Sequence, residues 1–280
     1  MSTFKIVLFL IFLFVVFPVA AYLLLIMPHI TGRKHTAPFR KWLYAHRGLH
    51  DNKGDAPENS LKAFERAVDA GFGIELDIQL TKDKIPVVFH DFTLKRVCGA
   101  EGKVSDYTYE ELRSFTLCES KEHIPLFEEV LGLVSGKVPL IVELKIESAD
   151  LTLCSVADKL LGAYKGLYCI ESFNPLAVWW YRRKRKNVVR GQLSDAFIKE
   201  GEGKGIICFA LQNLLLNCLG KPDFVAYNHK YPKMLSRKIC RKVYHNTAAA
   251  WTIKSEAELA AARKNFDIFI FDSFVPAKAS

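Results

Sequence analysis

Two histidines, three carboxylates, an arginine and a lysine stand where apolar runs of this chain stop. They occur in Ala45-His46-Arg47-Gly48, Ile74-Glu75-Leu76-Asp77, Val87-Val88-Phe89-His90-Asp91 and Val142-Glu143-Leu144-Lys145, and Pro57-Glu58-Asn59-Ser60 follows the first of them. A charge inside a strand-like apolar segment is costly unless it faces an opposite charge or a metal. Glu75, Asp77 and Glu143 are hard oxygen donors, which suit Mg2+ or Ca2+ and not zinc. A metal held by them would polarise a phosphoryl oxygen and lower the pKa of a hydroxyl bound to it. Histidine titrates near neutrality, so His46 and His90 suit a base and an acid. Arg47 and Lys145 suit phosphate oxygens. Each group alone has a plainer reading, as a packed histidine or a structural ion pair. Gathered at strand ends, they are the parts of a metal-assisted phosphoryl-transfer site.

The elements that must position them follow from periodicity. Strand-like runs recur at 43–46, 74–79, 86–90, 139–145, 167–172, 188–192, 224–227, 248–253 and 267–271. Helical patterns fall between most of them. The segment from Ser60 to Ala70 puts Leu61, Phe64 and Val68 on one face and ends before Gly71, and 150–163 and 255–263 read similarly. Alternating β and α units imply a parallel sheet. Residues 74–79 and 86–90 are too close for a parallel crossover, which needs about a dozen residues or more. They read as a hairpin turning at Thr81-Lys82-Asp83-Lys84, which would set His90 opposite Glu75, on the face that Glu75 shares with Asp77. Eight strands then remain in the body, the count of a (β/α)8 TIM barrel. A doubly wound open sheet is the alternative, and in both folds the C-terminal strand ends carry the site. Residues 92–123 form a small insertion after the His-Asp strand. Its Phe92, Leu94, Tyr107 and Tyr109 either line an entrance or pack a small excursion.

The chain has 280 residues, half of them hydrophobic, with net charge +9, which favours anionic partners. Its seven cysteines are odd in number and form no CxxC, which argues against a disulfide framework or a zinc cluster. They read mostly as buried small hydrophobes in a reducing compartment. Ile6 to Met27 is an uncharged apolar run broken only by Pro18. Its length suits a single transmembrane helix, which divides the chain into an anchor (1–28), a basic linker (29–40) and a globular body (41–280). A cleaved signal peptide is the competing reading. Arg33, Lys34, Arg40 and Lys41 after the run place the body on the cytoplasmic side of a membrane by the positive-inside rule. Arg182 to Lys186, with Trp179, Trp180 and Tyr181 beside it, and the cations between Lys230 and Lys242 read as solvated helix faces or as contacts to acidic headgroups. Nucleic acid is not expected, since no binding motif accompanies them.

The order His-Arg-Gly, Pro-Glu-Asn-Ser, Glu-Leu-Asp, Val-Val-Phe-His-Asp and Glu-Leu-Lys resembles the glycerophosphodiester phosphodiesterase family. Leu80-Thr81-Lys82-Asp83, Ile124-Pro125-Leu126, Glu171-Ser172-Phe173 and Ala250-Trp251-Thr252 extend the resemblance over about 42–273. Where the family usually closes on Thr-Asp-x-Pro, this chain reads Phe271-Asp272-Ser273-Phe274-Val275-Pro276. The resemblance implies a TIM barrel and a divalent-metal phosphodiesterase. It implies His46 and His90 as the acid/base pair and Glu75, Asp77 and Glu143 as metal ligands. Arg47 and Lys145 would contact phosphate, and Glu58 and Asn59 would support the first loop. Phe173 and Trp251 would either line the glycerol side or pack in the core. It further implies attack on phosphorus by a glycerol hydroxyl, release of an alcohol, and opening of the cyclic phosphate by water to glycerol 3-phosphate. A lysophospholipid is the alternative substrate, for a lysophospholipase D or a phospholipase D-like enzyme that forms cyclic phosphates. An inactive barrel that binds lipid headgroups is the non-enzymatic alternative.

Overall fold

Nine strands alternate with helices through the body, and eight of them close into a parallel barrel. The structure is a computed structural model that describes residues 4–5, 10 and 12–277. The strands are β1 (Leu43–His46), β2 (Gly73–Leu80), β3 (Pro86–Val88), β4 (Leu140–Leu144), β5 (Tyr168–Ser172), β6 (Arg190–Ser194), β7 (Phe224–Asn228), β8 (Thr247–Ile253) and β9 (Ile268–Phe271). β1 pairs in parallel with both β2 and β9, and this closes the ring; only β3 runs antiparallel, on β2. The open-sheet alternative is thereby excluded. The longer helices are α1 (Phe17–Ile26), α2 (Leu61–Asp69), α3 (Phe127–Val134), α4 (Thr152–Ala163), α5 (Pro175–Lys184), α6 (Ile206–Gln212), α7 (Leu235–Lys242) and α8 (Glu256–Ala262).

Strand alternation divides the apolar residues into two cores. Ile74, Leu76 and Ile78 of β2 face outward and pack with Phe64, Val130 and Val142 under the helices. Tyr44, Ile141, Cys169, Phe224 and Ile270 fill the barrel interior. Gly73 stands level with Tyr44 across the β1–β2 ladder, and a Cβ there would lie 2.6 Å from the tyrosine ring. The glycine therefore makes room for a full aromatic plug, whose hydroxyl donates to the Phe39 carbonyl at 3.0 Å. α2 begins where expected, because the Ser60 hydroxyl accepts from the Ala63 N–H and satisfies one of the open first-turn donors.

The hairpin forms with a register one residue from that expected. Ile78 faces Val88 and Leu80 faces Pro86, a sum that would set His90 opposite Leu76. β3 ends at Val88, however, and the Gln79 side-chain amide catches the carbonyls of Phe89, His90 and Asp91 as the chain turns away. His90 thus reaches the site from a loop and not from a ladder position. The insertion packs largely on itself: Leu94, Val97, Val104, Leu112 and Leu117 form a third core with Val87 and Phe89, and Tyr107 meets Phe115 edge-on. Of the residues expected at an entrance, Leu94 is fully buried, whereas Phe92 lies beside Lys145.

The expected spanning helix is not supported. No helix among the described residues is long and apolar enough to cross a membrane. Part of the run, 6–9 and 11, lies outside the described residues. The described part forms a π-helical turn (Phe12–Val16) followed by α1, with Pro18 in the first turn, where its missing N–H is not needed. Phe14, Phe17 and Leu24 are exposed, whereas Ile26 is buried against the barrel. Cys154, Cys169 and Cys240 are buried, but the other four cysteines are half-buried, contrary to the expectation for most of them. Arg237 of the second basic region is also buried, stacked 4.5 Å from the Phe266 ring and donating to the Asn265 carbonyl. It is a structural residue and not part of a solvated face.

Candidate active site

The C-terminal end of the barrel gathers the acidic side chains through ladder register. Asp77 on β2 stands level with Glu143 on β4, and Glu143 with Glu171 on β5; His46 on β1 stands level with Glu75. Because side chains level in a parallel ladder point to the same face, four carboxylates and an imidazole enter the barrel interior, Asp77, Glu143 and Glu171 at one level and Glu75 with His46 at the next. Ligand oxygens of Glu75, Asp77 and Glu143 all lie within 4.8 Å of one another. Burial, followed by the neighbouring carboxylates, pushes Glu75 well above the usual range. Glu171, fully buried, is raised in the same way. Glu143 is raised by burial against the opposing pull of Lys145. Asp77 is the exception: burial opposes ionisation, but His90, Lys145 and Arg47 hold it far below its ordinary value. One oxygen of Asp77 and one of Glu171 are buried with no hydrogen-bond partner. Like charges at this spacing, with orphaned acceptors among them, suit a hard divalent cation.

Two histidine–carboxylate pairs flank the cluster. His46 Nδ1 lies 3.0 Å from Asp272 Oδ2, and its Nε2 faces Glu75 Oε2 at 4.0 Å. His90 Nδ1 lies 2.6 Å from Asp91 Oδ1. A carboxylate on Nδ1 favours the proton there and leaves Nε2 for chemistry. Burial pushes His46 down to about 4, against the upward pull of Asp272. His50 Nε2 stands 3.3 Å from the other Asp272 oxygen.

The cations expected to contact phosphate are tied to carboxylates. Lys145 Nζ lies 3.0 Å from Glu143 and 3.8 Å from Asp77. Arg47 donates to Glu58 Oε1 at 2.6 Å, and its backbone N–H donates to Glu75 at 3.2 Å. This requires a turned backbone. Arg47 has φ 55° and Gly48 φ 83°, and a Cβ on Gly48 would lie 2.8 Å from the Ala63 backbone. The His-Arg-Gly sequence is therefore the geometry of this turn. Asn59 donates to Asp77 Oδ2 at 3.0 Å. Glu58 also accepts both Arg96 Nη groups at 2.7 Å, and Arg96 Nε reaches Asp91 at 2.6 Å. Burial opposes ionisation of Glu58, yet Arg96 and Arg47 hold it at about 2. Phe173 and Trp251 meet edge-on with centroids 5.7 Å apart, and the Phe173 centroid is 6.0 Å from Lys145 Nζ.

Sequence reasoning did not assign Asp272, Glu171, Arg96 or His50 to the site. Glu171 was accessible from its place in a strand-end block. Asp272 was hidden by the departure from the usual closing motif. Arg96 lies in the insertion, and no local pattern ties it to Glu58. Two clefts flank the cluster. One, of about 710 Å³, is bounded by 48–53 and 271–275; the other, of about 210 Å³, lies under Phe92 and Lys145.

Comparison with known proteins follows the same stretch of chain. The model of the glycerophosphoryl diester phosphodiesterase family matches residues 46–269. A glycerophosphodiester phosphodiesterase of Bacillus altitudinis is 43% identical over 114 residues, covering 38% of this chain and 45% of that protein. A mouse lysophospholipase D is 30% identical over 211 residues, covering 71% of this chain and 60% of that protein. The chain spans about half the length of the first curated relatives it matches. An Oleispira antarctica phosphodiesterase, solved with the product sn-glycerol-3-phosphate, shares the fold at TM-score 0.66 and 22% identity, covering 82% of this chain and 92% of that one. A Thermotoga maritima glycerophosphodiester phosphodiesterase superposes at TM-score 0.61 with 25% identity, covering 82% and 93%.

Proposed function

Since the chain belongs to the glycerophosphoryl diester phosphodiesterase family, we propose that it cleaves glycerophosphodiesters to glycerol 3-phosphate and an alcohol. The observation that carries this reading is the cluster of Glu75, Asp77 and Glu143 within 4.8 Å, flanked by two histidines that each have a carboxylate on Nδ1. His46, neutral at physiological pH, takes the proton of a glycerol hydroxyl as that oxygen bonds to phosphorus. The bond to the alcohol oxygen breaks, and His90 gives that oxygen a proton. Water then opens the cyclic phosphate, with the proton transfers reversed. Glu75, Asp77 and Glu143 would hold Mg2+ or Ca2+, which when bound supplies Lewis-acid polarisation of the phosphoryl group. Lys145 and Arg47 balance the carboxylates and present positive charge to the phosphate; Phe173 and Trp251 offer an apolar wall to the glycerol carbons. Glu58, Asn59, Asp91, Asp272 and Arg96 position the groups they touch. The test is release of glycerol 3-phosphate by the whole purified chain from glycerophosphocholine, glycerophosphoethanolamine and lysophospholipids, with Mg2+, Ca2+ or chelator. Full activity of His46→Ala would overturn the assignment.

A second reading, lysophospholipase D activity, is favoured by the exposed apolar residues of α1. It would show as preference for the lysophospholipid in the same assay. The same residues support our proposal that the N-terminal segment associates with a membrane, with the body on the cytoplasmic side, whose acidic leaflet suits the cations that follow the segment. Protection of the body from added protease in sealed vesicles tests the side.

A further inference from the structure

At the opposite end of the barrel, where β6 and β7 begin, the chain leaving α1 crosses the floor. Its carbonyls are held from the body. Ile26 accepts from Asn217 Nδ2 at 3.1 Å, Met27 from Lys221 Nζ at 3.1 Å and Leu23 from the Tyr244 hydroxyl at 2.9 Å. Between this segment and the end of α5 lies a cavity of about 440 Å³. Arg182, Lys186, Arg190 and Lys221 line it, and no carboxylate does. Arg190 is 4% exposed, yet its Nη1 has no hydrogen-bond partner. The nearest acid, Asp223, lies 3.5 Å from that nitrogen and already accepts from the Arg190 backbone N–H while facing His29 and His35. Burial, and after it the Arg182 charge, lower the affinity of Lys221 for its proton. Arg182 Nη1 donates to the carbonyls of Cys218 and Leu219, which fixes its guanidinium at the rim. Four cations around a hollow, one of them buried with an Nη1 that makes no hydrogen bond, suit a multiply acceptor-bearing anion.

We propose that this cavity binds the phosphate of an acidic phospholipid headgroup. Phosphate is the chemistry that matches guanidinium and ammonium groups converging on a space of this size. The lipid source follows from continuity. The exposed apolar residues of α1, such as Phe17 and Leu24, lead to Ile30, which is 65% exposed on the cavity lip. A bilayer that covers the apolar stretch puts the cavity at headgroup depth, where each basic residue adds attraction to an acidic leaflet. The inference rests on the membrane association proposed above and adds a specific headgroup contact, on the face of the barrel away from the catalytic groups.

Flotation of the full chain with vesicles of phosphatidylcholine, alone or mixed with phosphatidylglycerol, tests it. The expected result is tighter binding to the acidic vesicles, weakened about thirtyfold by Lys186→Gln with Lys221→Gln, since each basic residue at such a surface contributes about fivefold. Arg113→Gln with Lys121→Gln removes the same charge from the insertion and leaves binding unchanged. Lys186 is exposed at a helix end, so Lys186→Gln alone keeps the fold and still costs about fivefold. Equal partition onto both vesicle types, or equal loss in both double variants, overturns the headgroup site and leaves membrane association standing. Failure to bind any vesicle overturns both. Inorganic phosphate that raises the melting temperature of the full chain, but not of the Lys186/Lys221 variant, with no acidic-vesicle preference, assigns the cavity to free phosphate and overturns the lipid assignment.

Discussion

Replacing Asp272 by Asn tests whether the fixed imidazole at β1 matters. His46 Nδ1 lies 3.0 Å from Asp272 Oδ2, and the two side chains are only 16% and 13% exposed. In so enclosed a place a charge-assisted bond contributes about 1.5–3 kcal/mol, or about 10- to 150-fold in an equilibrium or a rate. Outer partners of functional imidazoles generally cost about 10- to 100-fold when removed. If the amide presents its Nδ2 to His46, the ring moves its proton to Nε2 and loses the lone pair that faces Glu75. Asp272→Asn should therefore lower kcat on glycerophosphocholine about 30- to 100-fold and leave KM within about threefold, because Asp272 reaches the reaction through His46. Asp272 also raises the pKa of His46 against the larger effect of burial, which sets it at about 4. The acid limb of the rate profile should accordingly move to lower pH in the variant. The assay is initial-rate release of glycerol 3-phosphate across pH. Activity within about twofold of the parent, or a loss carried wholly by KM, would refute the reasoning.

Glu58→Gln should destabilise the fold. Its pKa falls from an ordinary 4.5 to about 2, which corresponds to about 3 kcal/mol at neutral pH. A depressed carboxylate contributes above its unfolded pKa and loses that contribution as pH falls through the folded one. The parent should thus lose stability between about pH 4.5 and 2, and the variant should show a flatter denaturant midpoint there. Mg2+ or Ca2+ should raise the melting temperature of the parent, because Glu75, Glu143 and Glu171 are held together against their mutual repulsion. Glu143→Gln should diminish that rise in a calorimetric titration, and an undiminished rise would place the cation elsewhere. Gly73→Ala should cost about 1–3 kcal/mol by driving a methyl into the Tyr44 ring. Adding Tyr44→Leu should recover part of the loss in chemical denaturation.

The sequence carries the barrel because its period changes cleanly between strand and helix, and because one interval, 80–85, is too short for a crossover. Strand order then follows chain order apart from β3. The His, Glu and Asp positions are legible because charge interrupts apolar runs at strand ends. What was not legible depends on long-range register and loop paths. A one-residue difference in the hairpin decides whether His90 comes from a ladder or a loop, and the deciding interaction is the Gln79 amide on three successive carbonyls. Arg96 bridges Glu58 and Asp91 across 38 and 5 residues of sequence, which no local pattern encodes. The N-terminal run has the hydropathy of a span, yet its described part is a π turn and a ten-residue helix whose end is anchored to the barrel.

The acidic layer also accounts for the cations around it. Asp77, Glu143 and Glu171 stand level because β2, β4 and β5 pair without a shift, so their proximity is imposed by the same ladder that closes the barrel. A fold cannot relax that repulsion by moving one side chain, since each carboxylate is fixed through its strand. It is met instead from loops: Lys145 just beyond β4, Arg47 in the left-handed turn after β1, and the Asn59 amide before α2. None of these gives every oxygen a hydrogen bond: Asp77 Oδ1, 3.8 Å from Lys145 Nζ, and Glu171 Oε2 stay buried without a hydrogen-bond partner. Each such orphan costs about 1–3 kcal/mol or more for a charged group. Their persistence at the open end of the barrel, between two oriented imidazoles, is the observation behind our proposal that this layer receives a cation.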